Sequence, residues 1–470
     1  MSTRVLVIGG GLAGLLAARR HQRGGHHVVL LEASGTLGGA IADAALPDAG
    51  GFTLNTGAEA YAIASGAVEA LIAELGLEQR IVAPREGLGS RVVSAAGVHR
   101  APGASVLGIP GHPLAADVRA VLGTAGALRA SLERFLPAWY GAGDGATVAE
   151  AVRRRLGRKV LERLVAPVVG GVHSADPATL EFATASPPLS RGLAEQGSLT
   201  AAVKRLRGRG AGSAGTRVRS LSPTMAALPE ALQAQILAAG GILRTGVDVI
   251  GVERSGDRWQ VLTGRDERLE ADHLVLACPP DTARDLLNEA APAIARAIPQ
   301  APSAAVRLVA LVLEAPALDA HPAGTGALVA PGTAGIRAKA LTHASAKWEH
   351  VQQALAEALP TARSPHLLRL SYGRPGEQLP AREEIVDLAL ADASAILGTP
   401  LSRTQLRAAE VIDWDRAMRQ ALPGHRAGLD ALTGLLALQP SLELVGSWRA
   451  GTGIDAIVRA DDTYSEGTPS

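Results

Sequence analysis

Residues 4–14, Arg4-Val5-Leu6-Val7-Ile8-Gly9-Gly10-Gly11-Leu12-Ala13-Gly14, decide the fold. The run to Ile8 is short, apolar and β-branched, which suits a buried strand. The glycines follow at G-x-G-x-x-G spacing, and Leu12–Gly24 then carries the small residues Ala13, Ala17 and Ala18 in a helical pattern. His27–Glu32 (His-Val-Val-Leu-Leu-Glu) reads as a second strand. Strand, glycine turn, helix and strand together make a βαβ unit with parallel strands. In such a unit Gly9 permits the tight turn, Gly11 lets the backbone approach a pyrophosphate, and Gly14 lets helix and strand pack closely. The helix start, with Gly10, Leu12 and Ala13, offers N–H groups and a partial positive charge to phosphate. Glu32 ends the second strand 23 residues after Gly9, where an acid accepts hydrogen bonds from a ribose. Glycine is frequent here, 54 of 470 residues, so the glycine spacing alone is a weak signal. A purely structural glycine turn would leave Glu32 unexplained.

Composition narrows the rest. Lys+Arg 46 against Asp+Glu 45 gives a net charge of +1, with 47% hydrophobic and 19% charged residues. An apolar fraction of that size excludes a disordered chain. The lack of a basic excess argues against nucleic acid as a partner. The one cysteine, Cys278, excludes an intrachain disulfide and a Cys-rich metal centre. It reads as a small buried hydrophobe. His21, His26 and His27 lack carboxylate or cysteine partners at ligand spacing, so no metal site is expected. There is no signal peptide and no run long enough for a transmembrane helix, which predicts a cytoplasmic protein; peripheral membrane contact stays open.

Further along, residues 112–207 read as helical. Asp117–Phe135 and Thr147–Val165 carry apolar residues at three- and four-residue spacing, and Thr147 with Glu150 fits a capping box. Gly208–Ser222 reads as a Gly/Ser/Arg linker. The α/β pattern then returns: a helix over Leu228–Ala239, a hairpin around Ser255-Gly256-Asp257, and a strand over His273–Cys278. Strands near 306–313 and 366–372 and a helix over Ala381–Leu397 follow. A closing strand, glycine turn and helix run over Leu442–Val458.

The glycine pair Gly38-Gly39 and the stretch Gly51–Ala60 lie where two-domain flavoproteins related to amine oxidases pass along an extended FAD. A more specific likeness covers most of the chain. The segments Arg155-Leu-Gly157, Leu164-Val-Ala-Pro167-Val-Val-Gly170-Gly171, Asp176-Pro177, Lys347-Trp348 and Gly446-Ser-Trp-Arg-Ala-Gly451-Thr-Gly453-Ile454 resemble those of the bacterial protoporphyrinogen/coproporphyrinogen III oxidases, FAD enzymes of haem synthesis. The sequence departs from that family at Ala40, at Thr224-Met-Ala-Ala227, at Val-His173 and at Ala460.

The resemblance implies roles. Gly9, Gly10, Gly11, Leu12, Ala13, Gly14, Glu32 and Ala33 would hold the ADP half of FAD, and the Val247 backbone would meet the adenine. Gly38, Gly39, Ala40, Gly57, Ala58, Glu59 and Ala60 would flank the flavin side. Ser447, Thr452, Gly453 and Ile454 would close over flavin and pyrophosphate. Arg91 would pair with a substrate propionate, its guanidinium being suited to a bidentate carboxylate contact; a solvated surface arginine is the competing reading. Gly171 would line the substrate site, and no protein acid or base is assigned to the chemistry.

The expected fold class is α/β. A discontinuous FAD-binding Rossmann-like domain would comprise 1–65, 212–290 and 405–470. A sheet-containing substrate domain would span 66–104 and 291–404, and a helical insertion 105–211. The implied reaction is oxidation of a tetrapyrrole, coproporphyrinogen III before protoporphyrinogen IX, with oxygen as acceptor. Another amine oxidase-type oxidase or desaturase, or a non-catalytic FAD-binding paralogue, remain as alternatives, and oligomeric state is open.

Overall fold

A computed structural model describes residues 3–143, 145–172, 174–208 and 217–466. Its centre is a five-stranded parallel sheet in the order Ile242–Arg244, His27–Leu31, Arg4–Ile8, His273–Leu276, Leu442–Leu444. Both faces are covered, which is why these strands read as continuous apolar runs. Val5, Val7, Leu30 and Val275 pack on one side beneath the helices Leu12–Arg23, Ala227–Ala238 and Ile454–Glu466. Leu6, Ile8, Leu31, Leu274 and Leu276 pack on the other, against Trp259 of the antiparallel strands Val249–Ser255, Arg258–Thr263 and Arg268–Ala271. Each fully buried side chain of this kind contributes about 1.5–3 kcal/mol.

A seven-stranded mixed sheet forms the second layer, in the order Leu406–Arg419, Ser303–Glu314, Pro365–Tyr372, Ala340–His343, Gly326–Val329, Arg91–Ser94, Gly97–Arg100. Its register separates two faces. Leu368, Leu370, Leu341 and Ala327 face the helix Ile385–Leu397. Ala310, Val312 and Leu367, on the other face, meet Leu46, Phe52 and Leu54 from the cofactor-side layer. This second face is the inner one. The helices Ala116–Ser131, Val148–Leu156, Pro187–Gln196 and Leu199–Gly208 build a separate core. It is locked by Arg155, which is fully buried against Glu133 at 2.7 Å. The Thr147/Glu150 capping box is present.

The structure departs from the sequence reading in four places. The helix expected over Thr147–Val165 breaks at Gly157, whose φ of +97° suits glycine alone, and continues as the wider turn Leu161–Val165. The helix over Asp117–Phe135 ends at Ser131 and tightens into Leu132–Phe135. In the tract read as a linker, Val218–Leu221 is a strand joining Tyr61–Ala62 to Ile81–Val82; residues 209–216, like His173, lie outside the described residues. Residues 406–419, grouped by sequence with the C-terminal cofactor segment, are the edge strand of the seven-stranded sheet, bonded along Ser303–Glu314. Among the described residues no helix is long and apolar enough to cross a membrane.

Candidate functional site

Ligands of open parallel sheets bind beyond the carboxyl ends of the strands, and the glycine turns gather there. Gly9 has φ +107°, and a Cβ on it would stand 2.8 Å from the Ala277 carbonyl oxygen. A Cβ on Gly14 would lie 1.9 Å from the Gly9 carbonyl oxygen, so helix and strand close only because residue 14 is glycine. Gly11 caps the helix Leu12–Arg23 with no side-chain partner, leaving its leading N–H groups for an anion. The Gly38 N–H donates to the Gly10 carbonyl at 2.9 Å, and Gly39 passes so close to Gly11 that a Cβ would sit 3.0 Å from the Gly11 Cα.

Glu32 lies beside this turn. Its Oε2 accepts the Gly10 N–H at 2.6 Å and its Oε1 accepts the Ser34 N–H at 2.8 Å. A carboxylate accepts about four hydrogen bonds, so acceptor sites remain for ribose hydroxyls. The Val247 N–H donates to the Glu32 carbonyl at 2.9 Å, which places the Val247 backbone next to Glu32-Ala33. The second glycine turn joins Leu442–Leu444 to Ile454–Glu466 through Gly446, Gly451 and Gly453, at φ +134°, +104° and +106°. Ile454 shares a core with Leu12 and Leu15, and Ala13 lines a small cleft with Val445, Gly446 and Arg449, so the second turn meets the start of the first helix although they are over 430 residues apart. Two helix starts, two glycine turns and a ribose acid on one sheet edge fit an adenine-dinucleotide flavin.

The sequence-predicted flavin-side residues also converge. The Ala58 N–H donates to the Ala40 carbonyl at 2.9 Å, and a Cβ on Gly57 would fall 2.1 Å from that same oxygen. Trp414 Nε1–H donates to the Thr56 carbonyl at 2.9 Å. Next to Ala58 and Ala60, the Glu59 carboxylate accepts Lys347 Nζ at 2.5 Å and Arg369 at 2.8 Å, while Arg369 also donates to the Gly57 carbonyl at 3.1 Å. Burial alone would raise the Glu59 carboxyl; the two cations outweigh it and hold it at about 2. Sequence reading gave Lys347, Arg369 and Trp414 no role. The signal for Arg369 was its isolation in the apolar strand His366-Leu-Leu-Arg-Leu370.

On the substrate side Gly171 and Arg91 part company. A Cβ on Gly171 would strike Leu328 at 2.7 Å, so the helix Ala166–Val172 rests on the inner face of the seven-stranded sheet. Arg91 is in register with Ala327, whose side chain belongs to the outer face, and among the described residues it donates only to the neighbouring Ser90 carbonyl, at 3.4 Å. The structure therefore does not bring Arg91 to the site, because its strand alternation points it away. Arginines come instead from later in the chain. A cleft of about 350 Å³ separates Ala175 and Leu180 of the helical layer from the second glycine turn, and Arg419, Arg426, Arg449 and Arg459 line it beside Ser447 and Thr452. Nearby, Lys339 is buried with Nζ bonded to Ser174 Oγ and the Gly373 carbonyl, and burial lowers its ammonium to about 7. Cys278 is buried and its thiol is pushed up to about 12 by burial, as suits an unreactive core residue.

Comparison with known proteins agrees with this geometry. The family model for flavin containing amine oxidoreductase matches residues 12–454. A coproporphyrinogen III oxidase of Mycobacterium tuberculosis (strain ATCC 25618 / H37Rv) is 31% identical over 468 residues, covering 97% of this chain and 94% of that protein. The Bacillus subtilis (strain 168) coproporphyrinogen III oxidase is 26% identical over 467 residues, covering 96% and 94%. A crystal structure from Exiguobacterium sp. 255-15, assigned as a protoporphyrinogen oxidase, superposes with a TM-score of 0.81 at 22% identity, over 99% of this chain and 98% of that one.

Proposed function

Because the chain belongs to the flavin-containing amine oxidoreductase family, we propose that it is an FAD-dependent porphyrinogen oxidase with coproporphyrinogen III as substrate. The observation that carries the substrate is the cleft holding Arg419, Arg426, Arg449 and Arg459 against the second glycine turn. Carboxylate arms of a porphyrinogen suit this basic lining, because charge-assisted contacts favour arginine and carboxylate; Arg419 and Arg459 also pair with Asp281 and Asp455, and Arg449 holds the Leu444 carbonyl.

In this reading Gly9–Gly14 and Gly451–Ile454 bind the pyrophosphate, Glu32 the ribose and the Val247 backbone the adenine. The stretch Ala40, Gly57–Ala60 borders the flavin ring. When bound, the flavin supplies the hydride acceptor. The protein contributes position and exclusion. Gly171, packed on Leu328, forms part of the wall that keeps water from the reacting carbons. Glu59, fixed by Lys347 and Arg369, stiffens the floor on which the ring rests. No side chain is assigned as an acid or base. Residues 1–65, 217–290 and the stretch after Arg419 make up the cofactor domain. Oxygen is the terminal acceptor, and the cytoplasm is the site of action.

The test uses the purified protein. Its cofactor is extracted and identified, and coproporphyrinogen III and protoporphyrinogen IX are then supplied separately while porphyrin fluorescence is followed. The reading expects bound FAD and faster appearance of porphyrin from the tetra-acid. An FAD-loaded protein that yields no porphyrin from either substrate removes it.

A further inference from the structure

The sequence reading set His21 aside for want of a carboxylate partner, and the fold supplies one. His21, at the end of the helix Leu12–Arg23, meets His273 at the start of its strand and Glu443 in the strand Leu442–Leu444. His21 Nε2 lies 3.1 Å and His273 Nε2 3.8 Å from Glu443 Oε2, and all three ligand atoms fall within 4.8 Å of one another. We propose that His21, His273 and Glu443 form a binding site for a divalent transition ion of the zinc class, on the sheet edge opposite the glycine turns.

Two imidazole nitrogens and one carboxylate oxygen are a donor set that such ions accept, with bonds of about 2.0–2.2 Å that set tetrahedral ligand atoms about 3.4 Å apart. The observed spacings straddle that value, so small side-chain rotations close the site. His273 Nε2 is buried without a hydrogen-bond partner, a cost that a bound cation removes. The other carboxylate oxygen, Glu443 Oε1, is held by Arg20 at 2.5 Å, and Arg20 is itself fixed by Asp461 at 2.9 Å. This is the outer-shell support that orients a ligating carboxylate. An entry path exists: a cleft of about 850 Å³, lined by Thr3, His26, Glu74 and Asp272, opens onto His21 and His273.

The experiment titrates the untagged holoprotein with Zn²⁺ by calorimetry and, separately, with Co²⁺ while recording visible absorption. About one equivalent of Zn²⁺ is expected, with Co²⁺ giving the d–d bands of a four- or five-coordinate site that Zn²⁺ abolishes. His21→Gln and His273→Gln should each weaken Zn²⁺ binding at least about tenfold, since even outer-shell losses cost that much. His99→Gln, on the edge strand Gly97–Arg100, should leave binding unchanged, and flavin content should be the same in all variants. The proposal is overturned if no Co²⁺ band appears, if both site variants bind as the parent does, or if His99→Gln abolishes binding. Should a site variant fail to fold, the Co²⁺ spectrum of the parent protein decides alone.

Discussion

Replacing Glu59 by Gln tests the flavin-side frame. The carboxylate is shared by Lys347 and Arg369, and its proton affinity falls from an ordinary 4.5 to about 2. A difference of that size corresponds to about 3 kcal/mol of native-state stabilisation. The variant also leaves two partly buried cations facing an amide, so a loss of about 3–5 kcal/mol at pH 7 is expected. The pH dependence gives a sharper figure. The folded value lies below the unfolded one, so the stabilisation is fully present above about pH 4.5 and is lost as pH falls through it toward 2. Lowering the pH from 7 to 4 should cost the parent about 0.8 kcal/mol through this one group, and the variant nothing. Urea unfolding of both holoproteins at pH 7, 5 and 4 reads the gap between them. The other carboxylates cancel in that difference. A gap that stays constant, or one below about 0.5 kcal/mol at pH 7, would refute the placement of Glu59 between its two cations.

Other expectations follow the same geometry. Gly14→Ala pushes a methyl onto the Gly9 carbonyl, so the protein should purify with little flavin, read as the ratio of flavin to protein absorbance, and should lose about 1–3 kcal/mol. Arg155→Met strands the buried Glu133 carboxylate and should lower stability by about 3–5 kcal/mol in denaturant titration, and adding Glu133→Leu should not recover it, because Ser198 Oγ and the Leu199 N–H then lose their acceptor and the Pro137, Tyr140 and Gly197 carbonyls their donor. Arg426→Ala should raise KM for coproporphyrinogen III about tenfold, with kcat little changed, and should affect the dicarboxylic protoporphyrinogen IX less; equal effects on both would remove the arginine cleft from substrate recognition. Thr147→Ala removes a capping-box donor and acceptor and should cost about 1 kcal/mol by thermal unfolding.

The parallel sheet and both glycine turns were legible because their signals are local. Apolar runs, a glycine spacing and an acid at the strand end fall within a few dozen residues. What sequence did not show depends on distant encounters. Glu59 lies 288 residues from Lys347 and 310 from Arg369, and His21 lies 422 residues from Glu443. No periodicity links such partners. Arg91 shows a subtler limit. The alternation Arg-Val-Val-Ser establishes that Arg91 and Val93 share a face opposite Val92. It carries no information on which face turns toward the flavin, and that sign is set by register with Gly326–Val329. Likewise Leu406–Arg419 carries no clean alternation, and its partner Ser303–Glu314 lies about a hundred residues earlier.

The strand order of the central sheet has a consequence for synthesis. Arg4–Ile8, the earliest strand of this sheet in the chain, finds a neighbour in His27–Leu31 at once, but its other flank waits for His273–Leu276, and that strand waits for Leu442–Leu444. More than 400 residues separate the first and last strands of this layer, and the second glycine turn follows the last of them. A nascent chain stalled before residue 440 therefore exposes an unpaired strand edge and has only half a cradle for its nucleotide, a state that calls for chaperone protection. Flavin capture thus waits on residues more than 430 positions beyond the first glycine turn.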